Sequence, residues 1–208
     1  MPRYNNEWGG LPMSSRRTGR GTVSEQLQDL NGTVIMISSR KNENRVRGDY
    51  IYAREYTRGH TPGKWVHVGN SYDYRADTVD CQWIIHHIRD DIIALESVLY
   101  RDHYLDMTTV EYTSRDRTQR RILKLTFSSD IPDDESQQFK VWGGSWGNLN
   151  YAAFQSCRWN SRWLDTHRSG LLLGANGPST HELGDEHSWG RFSIQPQREP
   201  WRELRSAL

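Results

Sequence analysis

The stretch HELGDEH, His181–His187, is where metal chemistry would first be sought. Zinc proteases place two histidines four apart on a helix, so that both imidazoles share one face. Here the histidines are six apart and Gly184 interrupts, so the segment reads as a polar loop. His86 and His87 are adjacent, and neighbours on a strand point to opposite faces. His67 and His103 stand elsewhere in the chain, and no metal-ligand set follows. The chain shows no recognisable Ser/His/Asp order, Gly-rich phosphate loop or paired-carboxylate motif. The expectation is a protein with no catalytic residue, no metal and no cofactor, acting by binding.

Two other groups suit binding. Acidic residues recur in three loops: Asp73, Asp77 and Asp80; Asp130, Asp133, Asp134 and Glu135; Glu182, Asp185 and Glu186. They serve equally as solvated turns or as carboxylates that accept from sugar hydroxyls or basic partners. The second group is Trp142, Trp146, Trp159 and Trp163, the first two within VWGGSWGNLNY. An exposed Trp face stacks on sugar rings or on Arg, whereas a buried one fills a core. Trp142, Trp146, Asp133, Asp134, Glu182 and Asp185 are the candidate ligand-binding residues.

The 208 residues suit one domain with extended ends. Nine Trp, ten Tyr and four Phe argue against wholesale disorder, which goes with a lack of aromatics. A net charge of +1 gives no basic excess of the kind nucleic-acid binders carry, so no nucleic-acid partner is expected. Lys occurs only at positions 41, 64, 124 and 140, so the cations are mostly Arg, which stacks on aromatic rings. Two cysteines, Cys81 and Cys157, are too few for a disulfide-stapled scaffold, and either one bridge or two thiols fits. No apolar run is long enough to span a membrane, and the N-terminal stretch, which has no apolar run, is not expected to be a signal peptide. The expected location is cytoplasmic for a complete native chain and secreted if a signal peptide has been removed.

The segments that must position these residues are strand-like. TVIMIS (33–38), KWVHV (64–68), WIIHHI (83–88), IIALESV (92–98), RILKLTF (121–127), QFKVW (138–142), NYAAFQS (150–156) and GRFSI (190–194) are short and β-branched or aromatic, and polar loops separate them. Residues 1–32 read as a flexible or docking arm with a short helix at SEQLQDL, and residues 195–208 as a tail.

One phrase is written twice. ALESVLYRDHYLD (94–106) and AFQSCRWNSRWLD (153–165) align without a gap, 59 residues apart. Ser97 coincides with Ser156, Tyr100 with Trp159, Tyr104 with Trp163, Leu105 with Leu164 and Asp106 with Asp165. Each copy leads to an aromatic-x-aliphatic close, Phe139-Lys140-Val141 and Phe192-Ser193-Ile194. A weaker first copy opens at Ile35–Ser39, adds DYIYA and KWVHV, and closes at Trp83-Ile84-Ile85. Three copies of this length signal a repeat architecture of twelve strands. Leu95, Phe154, Leu105 and Leu164 are expected in the core. Asp106 and Asp165 are expected to form turns after the second strand. Trp142 and Trp146 have no counterpart in the aligned phrases.

In pattern, copy number and unit length, residues 33–194 resemble a β-trefoil, with repeats at about 33–90, 91–147 and 148–194. The third unit, AFQS, RWLD, SGLLLGANG and SWGRFSI, looks most like the fascin and actin-cross-linking type. Ricin-type lectin trefoils carry a Gln-x-Trp signature, which only Gln137-Gln138-Phe139 approaches. The implied fold is all-β, a β-trefoil with irregular N- and C-terminal arms. The leading functional expectation is a lectin-like, glycan-associated binding protein. The alternatives are a self-assembling structural or matrix scaffold, an actin cross-linker and, less favoured, a receptor ligand. Each arm carries Trp and Arg, residues enriched at interfaces. Trp8, Arg16, Arg17, Trp201 and Arg202 are therefore candidate contacts in a homo-oligomer.

Overall fold

The computed structural model describes residues 21–39, 50–55, 64–68, 78–113, 119–143, 149–166, 172–176 and 192–197. It contains one short helix, α1 (Val23–Asp29), and twelve strands. The strands are β1 (Val34–Ser39), β2 (Ile51–Glu55), β3 (Lys64–Val68), β4 (Gln82–Arg89), β5 (Ile92–Ser97), β6 (His103–Thr113), β7 (Gln119–Phe127), β8 (Phe139–Trp142), β9 (Ala153–Ser156), β10 (Arg162–Thr166), β11 (Leu172–Asn176) and β12 (Phe192–Pro196).

The first and fourth strands of each repeat form a barrel. β1 pairs with β12 and β4, β5 with β4 and β8, and β8 with β9, all antiparallel. An isolated bridge, Ala152 to Phe192, closes the ring. The second and third strands make three hairpins, β2–β3, β6–β7 and β10–β11. These hairpins are joined to one another through β3–β7 and β7–β11. A barrel of six strands with three hairpins gathered at one end is the β-trefoil arrangement, as the repeats imply.

Register shows how the repeats interlock. Trp83 lies opposite Ser97, Phe139 opposite Ser156, and Phe192 opposite Ser39. Each closing aromatic therefore faces the opening serine of the next repeat, and Trp83, Phe139 and Phe192 are all fully buried. Ile37, Leu95 and Phe154 sit two residues before those serines and join the same core. Phe154 meets Phe192 edge to face, with ring centroids 5.6 Å apart. The Trp83 indole N–H, which would be costly to bury unpaired, donates to Ile51 O at 3.0 Å.

The shared phrase has a hydrogen-bonding reason. Tyr100 N donates to Ser97 Oγ and Trp159 N to Ser156 Oγ, each at 3.2 Å. His103 N then donates to Tyr100 O, and Arg162 N to Trp159 O. Both serines hold the turn between first and second strands in the same way. Asp106 and Asp165 differ from the turn role expected for them: Asp106 lies inside β6 and Asp165 inside β10. The Asp106 carboxylate accepts from Thr126 Oγ1 across the hairpin at 2.6 Å.

Helix α1 lies within the segment read as an arm. Thr22 caps it, with Glu25 reaching back to the Thr22 N–H in a reciprocal capping box. Its Leu27 is fully buried in the barrel core. The turn that follows is tied to β4, because Gly32 N donates to Ile85 O and His87 N to Asn31 Oδ1. Trp83, at the start of β4, bonds to the hairpin layer, so α1 packs towards the other end of the barrel. Cys81 and Cys157 are free thiols, and burial pushes Cys81 up to about 11.

Two tests follow from this packing. Leu95 and Phe154 are 1% and 0% exposed, and truncating either to Ala should cost about 2–5 kcal/mol. Leu99, 44% exposed in the intervening turn, should lose about 0.5 kcal/mol or less. Equal losses at all three in urea unfolding would contradict the register. Gly174 faces Arg121 across β7–β11, and a Cβ there would lie 2.7 Å from the Sδ of buried Met107. Gly174→Ala should therefore destabilise by about 1–3 kcal/mol through overpacking, measured in the same way.

Candidate functional site

Two kinds of equivalent position stand out on the outside of the trefoil. The first joins the fourth strand of one repeat to the first two strands of the next. Cross-strand pairing aligns Ser38 with Tyr50, Glu96 with Tyr104, and Gln155 with Trp163. Three residues beyond each closing aromatic stand Gln195, His86 and Trp142. His86 Nε2 lies 2.8 Å from Glu96 Oε2, and Trp142 Nε1 donates to Gln155 Oε1 at 2.9 Å. His86 also meets the Tyr104 ring at 5.6 Å, and Trp142 meets Trp163 at 6.0 Å. Trp142 thus has structural counterparts that residue identity conceals. Its indole is half-buried, its N–H is taken, and the Lys140 ammonium lies 4.4 Å from its ring centroid. Gln155 Nε2 donates in turn to Asn160 O.

Glu96 is the charged member of this set. It is 4% exposed and accepts from Asp102 N, with Arg101 Nε at 3.3 Å. Burial chiefly, and then the Glu96 charge, push the Tyr104 hydroxyl above its ordinary range.

The second kind of position is the junction where a cation from one repeat covers an aromatic ring of the next. Lys64 Nζ stands 4.6 Å from the Tyr100 centroid, and the Arg121 guanidinium 4.3 Å from that of Trp159. Register makes the cations equivalent, since Trp65 faces Lys124 as Ile122 faces Leu173. At the first junction Lys64 Nζ is also 3.0 Å from His103 Nε2, and Glu55 N donates to Tyr100 Oη. The His103 ring then carries Phe127 edge-on, with centroids 5.7 Å apart. Phe127 is 63% exposed, the largest exposure among the described large hydrophobics. Ser128 N donates to Asp102 O and Ser128 Oγ to Asp130 O, which brings the 98–102 turn beside the 128–131 loop.

Of the ligand-binding candidates read from sequence, Trp142, Asp133 and Asp134 lie among the described residues. Asp133 is exposed. Asp134 caps a 3₁₀ turn, accepting from Ser136 N at 2.9 Å, and lies 3.5 Å from Arg158. The Ser136 N–H holds its carboxyl below the usual range, with Arg158 adding to the effect. Trp146, Glu182, Asp185, Trp8, Arg16, Arg17, Trp201 and Arg202 lie outside the described residues. Among the described residues no group of His, Cys, Asp or Glu could hold a metal ion, and no helix is long and apolar enough to cross a membrane. Sequence reasoning missed Phe127, His103, Lys64 and Arg121. The coincidence of Tyr100 with Trp159 marked the rings, but only the hairpin register reveals which cation reaches them.

No protein-family model matches the sequence, and no curated protein is significantly similar to it. Solved structures are similar in fold. A salivary protein of the Cysteine and Tryptophan-Rich family from Culex quiquefasciatus superposes with a TM-score of 0.56 at 12% identity, over 81% of this chain and 96% of that one. The designed threefold-symmetric protein ThreeFoil matches with a TM-score of 0.53 at 11% identity, over 79% and 99%. The BEL β-trefoil matches with a TM-score of 0.50 at 13% identity, over 80% and 94%. These likenesses show the β-trefoil fold and do not single out the fascin-like type.

The repeat itself supplies a test of the Glu96 position. Gln occupies the equivalent place at Gln155, so Glu96→Gln keeps one acceptor for Asp102 N and should cost less than about 1 kcal/mol. Glu96→Ala leaves that N–H and the His86 ring without their acceptor and should cost about 1–3 kcal/mol. Urea unfolding of both variants at neutral pH checks the order.

Proposed function

We propose that this chain is a non-catalytic, lectin-like binding protein whose ligand is a glycan, received on the ring group Phe127, His103 and Tyr100. The observation that carries the reading is the exposure of Phe127 on a fixed support. A ring 63% exposed in water forgoes burial worth about 25 cal/mol per Å² of apolar surface. At the end of β7, His103 holds this ring edge-on and Lys64 holds His103. The C–H face of a pyranose fits such a ring. The Lys64 ammonium at the start of β3, and the carboxylates of Asp102 and Asp130 in the neighbouring turn and loop, are the donors and acceptors for hydroxyls. A site of this type is largely pre-formed, with an apolar platform and few polar groups that set orientation.

Trp142 is not the platform in this reading, because Lys140, Gln155 and Trp163 already engage it. Self-assembly or actin cross-linking through Trp8 and Trp201 rests on segments outside the described residues.

A glycan array followed by calorimetric titration of the best hit tests the proposal. Phe127→Ala should weaken binding at least about tenfold, the loss of roughly one stacked ring, with little change in melting temperature. Retention of no glycan by the array, or full affinity in Phe127→Ala, would overturn it.

A further inference from the structure

The second cation–aromatic junction differs from the first in charge. Trp159 has the Arg121 guanidinium 4.3 Å and the Arg158 guanidinium 5.0 Å from its ring centroid. Arg162, equivalent to His103 in the repeat, lies beside them. The side chains of Arg121 and Arg162 are only 16% and 12% exposed. Both turn their Nη2 atoms towards one carboxylate oxygen, Glu111 Oε1, at 3.5 and 3.7 Å. Charge-assisted pairs close to about 2.7–2.9 Å when the geometry allows. Glu111 therefore stands near both guanidiniums without engaging either tightly. A second carboxylate, Asp134, is 56% exposed, accepts from Ser136 N, and lies 3.5 Å from Arg158. Among the described residues, three guanidiniums thus face two carboxylates, none closer than 3.5 Å, and Arg121 Nε is buried without a hydrogen-bond partner.

The backbone is shaped to produce this. Register slips between Met107 and Glu111, so that residues 108–110 form a bulge in β6. The bulge carbonyls of Thr108 and Thr109 accept from Arg121 Nη1 at 3.4 and 3.0 Å. Arg162 Nη1 is likewise fixed on Gln119 O at 2.7 Å. Each guanidinium is pinned by one amino group on the backbone, which leaves the other for an acid. Bulges of this kind re-aim side chains beside binding sites. Taking two guanidiniums most of the way out of water against one half-exposed carboxylate is unfavourable unless another anion completes the set.

We propose that this junction, Arg121, Arg158, Arg162 and Trp159, binds the anionic group of an acidic sugar, a carboxylate or a sulfate, and that Glu111 holds the place which that group takes. The assignment rests on the glycan-binding reading and adds the class of sugar. The ligand anion displaces Glu111 from the paired Nη2 atoms, and the sugar ring lies towards Trp159 and the exposed Arg158. No bond is made or broken.

Calorimetric titration of the full chain with glucuronate, galactose 6-sulfate, their neutral parents glucose and galactose, and inorganic sulfate tests this. Both acidic sugars should bind more tightly than their parents, and added salt should weaken them selectively. Glu111→Gln removes the competing charge from an exposed position and should tighten acidic-sugar binding about tenfold, the size of one charge-assisted contact. Arg121→Lys keeps the charge but loses the planar fork and should weaken binding about tenfold, with a melting curve confirming the fold. Acidic sugars that bind no better than neutral ones, or a Glu111→Gln variant with unchanged or weaker affinity, would overturn the proposal while leaving the Phe127 platform standing. Binding of inorganic sulfate with neither acidic sugar would overturn the sugar assignment. Acidic-sugar binding that responds to Glu111→Gln and is indifferent to Phe127→Ala would support this junction and remove the platform.

Discussion

A single repeat of this chain cannot cover its own apolar face. Its four strands would make a small sheet with Leu95 or Phe154 left against water, and only the other two repeats can bury them. That constraint governs the rest of the structure. The closing aromatic of each repeat must lie opposite the opening serine of the next, and Trp83, Phe139 and Phe192 do so in turn around the barrel. Once those three pairs are in register, side-chain alternation settles which residues point inward and which outward. The outward set, Glu96, Gln155, His86 and Trp142, is then placed without any choice of its own.

The same constraint explains why candidate sites come in related copies with different chemistry. Core positions must stay apolar, so Leu105 and Leu164 are identical and Leu95 becomes Phe154. Junction positions are limited only by contact between neighbours, so Tyr100 under Lys64 can become Trp159 under Arg121 while a cation still covers a ring. From that shared contact one junction extends into exposed Phe127 and the other into Arg162 and Glu111. Divergence is cheapest where the fold asks for a kind of interaction and not for a particular side chain.

Fold and repeat were legible in the sequence because they depend on spacing. The coincidence of ALES and AFQS, and the three aromatic-x-aliphatic closes, placed the barrel strands to within a few residues. A short helix is legible at SEQLQDL, but its burial through Leu27 is not, because one leucine in a polar segment gives no sign of what it meets. Asp106 and Asp165 were read as turn residues from their type, and hairpin pairing holds them in strands instead. The candidate site was far less legible. Phe127 looks like the last residue of an apolar strand, and nothing in that run signals that its ring is exposed. Arg121 and Glu111 pair across a bulge that no periodicity announces. Of the loop carboxylates, Asp134 caps a 3₁₀ turn beside Arg158, a role that loop composition alone does not specify.

Closure of the barrel has a consequence for how the molecule reaches this state. β1 pairs with β12 from Ile35–Pro196 through Ser39–Phe192, so the first strand waits for a partner more than 150 residues further along the chain. Topologies with many distant contacts acquire structure slowly, because loop entropy must be lost before the long-range pairings return any stability. Hairpins such as β6–β7 can form early from local sequence alone, whereas β1 stays an unpaired edge on one side until the ring shuts. During that interval its run VIMISS, all six residues buried in the finished protein, is open to pairing with another chain.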